Sequence, residues 1–251
     1  MRLATFNILH GRSLADGKVD VDRFAAAIRS LDADVLALQE VDRDHPRSLG
    51  ADLTAVAAEA MGATEHRFVA ALAGLPGATW QAATGAEQPG TASYGVALLA
   101  RYPTRWGEVV RLPALSVPVP FLFRGQRRPQ LVRDEPRVAV AAVVESPLGE
   151  LAVATTHLSF LPGWNVLQLR RLLGALTAYG QPLVLMGDLN MSLGRVARVS
   201  GLRPLAVGST YPADRPTQQI DHILGRGLPP AGAAGVRQLT MSDHRALLVD
   251  I

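Results

Sequence analysis

The sequence predicts an α/β sandwich, two packed β-sheets covered by helices. Three observations carry this. Short apolar runs of strand length recur along the chain, bounded by Gly, Pro, Asp and Ser; only a few segments between them have apolar residues at helical spacing; and 251 residues with 48% hydrophobic and 19% charged content are enough to bury a large core. One domain spanning residues 1–251 is expected, with no repeat or low-complexity linker to divide it.

Residues 3–8 read as the first strand. A polar loop follows, and then Phe24, Ala27, Ile28 and Leu31 fall on one face of a helix over residues 21–31. Asp32 and Asp34 break that helix, and residues 35–38 form a buried strand ending at Gln39 and Glu40. A second helix is expected over residues 49–61, stopped by Gly62, then strands over 66–71 and 94–100. Between 112 and 136 the pattern changes. Pro113, Pro118, Pro120, Pro129 and Pro136 alternate with Arg124, Arg127, Arg128 and Arg133, and no long regular element survives that much proline. Residues 137–145 and 150–156 read as a hairpin, 164–179 as an amphipathic helix, and 183–186, 220–224 and 246–251 as the closing strands.

Composition narrows the chemistry. With no cysteine, disulfides, zinc-thiolate sites and thiol nucleophiles are excluded, so any metal must be held by oxygen and imidazole. The formal charge of +3 is carried by arginine, Lys18 being the only lysine. Arginine's fork suits phosphate, although a charge this small is also ordinary for a solvated surface. Met1 and Arg2 lead directly into residues 3–7 without a long apolar stretch, so no signal peptide is expected and a cytoplasmic location is the default expectation. The longest apolar runs, such as 138–144, are too short to span a bilayer.

The most informative regularity is where polar residues interrupt the apolar runs. Asn7, Glu40, His157, Asp188 and Asn190 each follow an apolar strand, Asp221 begins one, and Asp243 and His244 precede the last. Singly, each has an ordinary explanation: Asn7 or Asp188 capping a turn, Glu40 in a loop ion pair, His157 satisfied in the core, Tyr94 packing as an aromatic. Recurrence at six strand ends is hard to attribute to independent turn chemistry. If those ends share one edge, they form an oxygen-rich cluster with two histidines, suited to a hard cation such as Mg2+ or Mn2+ and to positioning water.

The strings around these residues are Thr5-Phe6-Asn7-Ile8, Leu38-Gln39-Glu40-Val41, Ser93-Tyr94-Gly95, Thr156-His157-Leu158, Gly187-Asp188-Leu189-Asn190, Ile220-Asp221-His222 and Ser242-Asp243-His244. In this order, from residue 3 to the C-terminus, they resemble the endonuclease/exonuclease/phosphatase superfamily, which includes deoxyribonuclease I, abasic-site endonucleases, inositol-polyphosphate phosphatases and bacterial sphingomyelinases. The resemblance implies a four-layer α/β/β/α sandwich of two packed mixed sheets flanked by helices. It also implies hydrolysis of phosphoesters, as a phosphodiesterase or nuclease, or alternatively as a phosphatase or phospholipase-type hydrolase. Glu40, Asn7 and Asp243 would hold Mg2+ or Mn2+. Asp188 would orient and deprotonate the attacking water, and Asn190 and His157 would hydrogen-bond the phosphate. His244, oriented by Asp221, would contact phosphate or assist proton transfer.

Abasic-site endonucleases usually have aspartate where this chain has Leu9, and tend to have tyrosine where it has His157, so the resemblance does not favour a dedicated DNA-repair role. A noncatalytic binding module on the same fold would be expected to have lost the metal and water-activating residues, and all are present. Tyr94, Arg124, Arg127 and Arg128 are the expected substrate contacts. The expected partner is a phosphorylated substrate, with nucleic acid compatible. The apolar residues of segment 112–136 also raise peripheral membrane contact, for which packing against the sandwich is the ordinary alternative.

Overall fold

The computed structural model describes residues 1–122, 126–180 and 182–251. The chain runs β1 (Arg2–Asn7), α1 (Val21–Leu31), β2 (Val35–Arg43), α2 (Leu53–Met61), β3 (Glu65–Ala73), β4 (Gln81–Ala82), β5 (Ser93–Ala100) and β6 (Thr104–Leu112). It continues through β7 (Val119–Phe121), β8 (Gln130–Val132), β9 (Arg137–Ser146), β10 (Gly149–His157), α3 (Trp164–Leu176), β11 (Leu183–Asp188) and α4 (Leu193–Ser200). Last come β12 (Arg203–Pro204), β13 (Asp221–Arg226), β14 (Ala234–Arg237) and β15 (Ala246–Asp250). One sheet has the order β14-β15-β1-β2-β5-β3-β4 and the other β12-β13-β11-β10-β9-β6, while β7 and β8 pair separately.

Strand periodicity explains both the layering and the unbroken apolar runs. Side chains alternate faces along a strand. In β1, β2 and β5, Leu3, Val35, Ala37, Val96 and Leu98 enter a core shared with Val138, Val140, Val153, Val184 and Ile223 of the other sheet. The alternate residues Ala4, Phe6, Leu36, Leu38, Ala97 and Leu99 pack on Phe24, Ile28 and Leu31 of α1 and Leu53 and Ala57 of α2. The second sheet repeats this outward: Ala139, Ala141, Leu183 and Leu185 pack on Leu169, Leu172 and Val196 of α3 and α4. Each sheet is therefore apolar on both faces, and the layers read α/β/β/α.

The first two helices start where capping chemistry places them. Asp20 accepts from Arg23 N at the start of α1, and Asp52 accepts from Thr54 N and Ala55 N at the start of α2. The Asp52 cap explains why the second helix begins at Leu53 rather than at residue 49: residues 46–48 form a separate 3-10 turn, and Leu49 takes a left-handed φ of 61°. Strand β2 also runs on to Arg43 instead of ending at Glu40, with a bulge between Gln39 and Val41. Among its described residues the proline-rich segment contains only two three-residue strands, as its proline content requires. Strand β6 went unforeseen. It is half-exposed, interrupted by a bulge between Trp106 and Val109, and at Gly107 the backbone lies so near the Tyr179 hydroxyl that any side chain there would collide with it.

Candidate active site

The same parity that sorts the apolar residues brings the polar ones together. Leu3, Thr5 and Asn7 share a face of β1; Val35, Ala37 and Gln39 share one of β2; Val153, Thr155 and His157 one of β10; Val184, Met186 and Asp188 one of β11. In each strand the apolar members of the set line the core between the sheets, so the polar member continues that inner face at the carboxyl end. The parallel pairs β1–β2 and β10–β11 align those ends, with Asn7 opposite Gln39 and His157 opposite Asp188. Antiparallel β13 adds Asp221 opposite Asp188, giving a row His157, Asp188, Asp221 across three strands. Gln39 ties the sheets together beneath this row, accepting from Thr5 Oγ1 at 3.2 Å and donating to Thr155 Oγ1 at 3.1 Å.

Two backbone features aim the carboxylates. Glu40 is the extra residue of the β2 bulge, with φ of 56°, which turns it out of the ladder. Gly187 has φ of 142°, and a Cβ there would stand 2.0 Å from the Thr156 carbonyl oxygen. Only glycine lets β11 approach β10 closely enough to set Asp188 beside His157.

Asp188 is the hub. Its Oδ1 accepts from Asn190 N at 3.0 Å, and its Oδ2 accepts from Asn7 Nδ2 at 3.1 Å and lies 3.4 Å from His157 Nε2 and 3.8 Å from His244 Nε2. Asn7 Nδ2 also donates to Glu40 Oε1 at 3.0 Å, so one amide bridges two carboxylates, while its own oxygen accepts from Leu9 N at 3.2 Å. Asn7 and Asp188 thus do make the tight Asx turns that are their ordinary role, and the turns leave their remaining polar atoms facing the site. His244 Nδ1 meets Asp221 Oδ2 at 2.9 Å, and Ser242 Oγ donates to Asn7 O at 2.6 Å, fastening the loop before β15 to the end of β1.

Burial and charge set the protonation preferences. Burial, reinforced by Asp221, pushes Asp188 up to about 7. Burial alone would pull His244 down, but Asp221, Asp188 and Asp243 outweigh it and raise it to about 10. Burial, then Arg137 and His244, hold His157 well below the usual imidazole range, so its ring is neutral. Glu40 is raised by burial and by Asp243. Asp243 Oδ1 and Asp221 Oδ1 are buried without a hydrogen-bond partner. Asp188, Asp221 and His244 offer ligand atoms within 4.8 Å of one another. Crowded carboxylates, raised affinities for protons and orphaned oxygens together fit a hard cation with oxygen ligands.

A sequence model of the Endonuclease/Exonuclease/phosphatase family matches residues 4–244. The chain belongs to this family. Its members are hydrolases acting on phosphoesters. No curated protein matches the sequence. Among solved structures, an endonuclease/exonuclease/phosphatase from Beutenbergia cavernae superposes with TM-score 0.68 at 24% identity, covering 99% of this chain and 70% of that one. A mannosyl-6-phosphatase from Bacteroides thetaiotaomicron superposes with TM-score 0.60 at 16% identity over 100% and 98%. Truncated Caenorhabditis elegans TDP2 gives 0.59 at 15% over 99% and 95%. These likenesses share the two-sheet, helix-flanked fold.

The site opens into a cleft of about 620 Å³ lined by Glu40, Tyr94, His157, Asp188, Asn190, Asp243 and His244, with buried Asp221 behind His244. Two of the other expected substrate contacts lie elsewhere. Arg127 and Arg128 are exposed and do not line the cleft, since the β7–β8 hairpin brings its apolar residues Phe121 and Leu122 there instead. Arg124 lies outside the described residues. Among the described residues the arginine that lines the cleft is Arg137, with Glu135, both missed in the sequence. Arg137 begins β9, antiparallel to the strand that ends at His157, and its only sequence signal is a charge opening an otherwise apolar strand. No helix among the described residues is long and apolar enough to cross a membrane.

Proposed function

We propose that this family hydrolase is a divalent-metal-dependent phosphodiesterase that uses Asp188 to prepare the attacking water. The observation that carries the reading is the row of His157, Asp188 and Asp221 facing Asn7 and Glu40 from the opposite sheet, with carboxylate oxygens buried and unpaired. Glu40 and Asp243, with Asn7 beside them, would hold the cation, Mg2+ or Mn2+, whose charge would offset the negative charge of the phosphate.

The chain's own groups do the rest. Asp188 Oδ2 accepts the proton of a water aimed at phosphorus, while Oδ1 is held by Asn190 N. The imidazolium of His244, raised by Asp221, faces the negative phosphate. Neutral His157 and the amide of Asn190 donate hydrogen bonds to its oxygens. These donors are fixed before substrate arrives, so little reorganisation accompanies the build-up of charge.

A second reading, a phosphatase or phospholipase-type hydrolase acting on a small phosphorylated or lipid-headgroup substrate, is favoured by one feature. Phe121, Leu122 and Phe160 give the cleft an apolar wall, and Phe121 and Phe160 meet edge to face with centroids 5.1 Å apart. The test is turnover by purified chain with Mg2+ or Mn2+ on bis-p-nitrophenyl phosphate, plasmid DNA, RNA, inositol phosphates, sugar phosphates and sphingomyelin. Hydrolysis of diesters, including nucleic acid, over monoesters supports the first reading. Monoester or lipid-headgroup preference supports the second. No turnover of any phosphoester overturns both.

A further inference from the structure

Arg137 plays no part in the mechanism above, yet it is a charged side chain only 6% exposed, set against a proposed phosphate donor. It reaches His157 from behind, with Nη1 3.2 Å from His157 Nδ1. Its Nη2 lies 3.7 Å from Glu135 Oε2, and its Nε is buried without a partner. Glu135 is itself held by Trp80 Nε1 at 3.1 Å, so the guanidinium is anchored from the side remote from His157.

A guanidinium has only donors and does not lose its proton in proteins. The imidazole nitrogen facing it must therefore present a lone pair. A neutral ring has one such nitrogen, so the proton sits on the other, Nε2, which points toward the cleft. Asp188 Oδ2, an acceptor 3.4 Å from Nε2, favours the same arrangement. One neighbour opposes it: Asn190 Nδ2 lies 3.3 Å from Nε2 and as a donor would prefer a lone pair there. That amide already donates to Leu158 O at 3.0 Å, whereas Arg137 offers no acceptor in any orientation.

We propose that Arg137 is a positioning residue that fixes His157 as the neutral tautomer protonated on Nε2, making the ring a hydrogen-bond donor to a phosphate oxygen and not a general base or acid. The proton stays on Nε2 throughout; no bond to it is made or broken. Buried Arg137 orients the ring as a carboxylate or carbonyl orients other histidines, but with the opposite tautomer.

The proposal rests on the phosphoesterase reading for its role but not for its geometry, and the test separates the two. Two-bond nitrogen–proton correlation NMR of ¹⁵N-histidine-labelled full chain, with the His157 signals assigned from His157→Gln, reads the tautomer without any substrate. Nε2–H at pH 7.5 is expected; Nδ1–H or a doubly protonated ring would overturn the proposal, whatever the activity. On bis-p-nitrophenyl phosphate, Arg137→Met is expected to lower kcat about 10-fold to 100-fold, as loss of an orienting partner does, with KM nearly unchanged. Arg137→Lys, which keeps a donor, should restore most of the loss. In the His157→Gln background Arg137→Met should add little. A rise in KM alone, equal damage from lysine and methionine, or a full additional loss in the double variant would each show that Arg137 acts otherwise. If Arg137→Met does not fold, the wild-type tautomer and the lysine variant still decide. If no phosphoester is turned over, the functional reading fails while the tautomer stands or falls separately.

Discussion

Replacing Asp188 with asparagine separates its two contributions, because the carboxylate that prepares water is also a charge crowded by its surroundings. The Asp188→Asn variant would keep an oxygen for Asn190 N, but the amide hydrogens it introduces would face Asn7 Nδ2, which now donates to Asp188 Oδ2 at 3.1 Å. Losing that hydrogen bond costs about 1 kcal/mol. Against this, Asp188 is raised from 3.8 to about 7 by burial and by Asp221. A raised acid stabilises the fold fully below its unfolded value and loses that contribution as pH rises through the folded one. Between roughly pH 4 and 7 the metal-free protein therefore becomes less stable relative to a variant with no charge at this position, by up to about 4 kcal/mol at about 1.4 kcal/mol per unit. The net expectation for Asp188→Asn in EDTA is a gain of about 1–3 kcal/mol at pH 8 and little or none at pH 4. With metal, turnover should fall about 100-fold to 10,000-fold. Urea denaturation at the two pH values and kcat on bis-p-nitrophenyl phosphate measure both. Near-native turnover would place the base elsewhere, and destabilisation at pH 8 would refute the electrostatic reasoning.

Gly187→Ala should cost several kcal/mol and lower kcat, because a Cβ there meets Thr156 O at 2.0 Å and must part β10 from β11; unchanged melting and unchanged turnover would show that the strands tolerate the separation. His10 is held down to about 4 by burial and by Arg47, so its neutral form stabilises the fold fully above about pH 6.5, and that contribution is lost as pH falls through about 4. His10→Asn, which suits its φ of 46°, should flatten the acid side of the stability curve; an identical curve would contradict this. Arg127→Ala with Arg128→Ala should leave kcat on a minimal diester unchanged, since both side chains stand outside the cleft, and should weaken the salt dependence of KM only on a polyanion such as DNA. Loss of turnover on the minimal diester would put one of them at the reacting centre.

Much of this was legible because polar residues close one apolar run after another. Asn7, His157 and Asp188 each end such a run, and the two-residue period of a strand then places them on the face that Leu3, Val153 and Val184 turn toward the other sheet. What the sequence hid was local geometry. Glu40 looked like a strand terminus but occupies a bulge within β2, because the run resumes with buried Val41 and a single extra residue leaves no compositional mark. Strand β6 was obscured by Gly107 and Glu108, which break its alternation where Tyr179 meets the backbone: the Tyr179 hydroxyl accepts from Glu108 N at 2.8 Å. Arginines 127 and 128 attracted notice by clustering, whereas solitary Arg137 is the one buried against His157, a contact created by the pairing of β9 with β10. Clustering in sequence reports surface charge; a lone charge inside an apolar strand is the more specific sign.

The central claim, that these carboxylates work through a bound hard cation, is tested most directly by exhaustive EDTA treatment followed by metal-free dialysis and stepwise return of Mg2+ or Mn2+. Turnover of the best substrate should vanish and then recover with either cation, and Glu40→Gln should require more metal for half-maximal activity because an oxygen charge beside Asp243 is gone. Full activity in the metal-free chain would contradict the account.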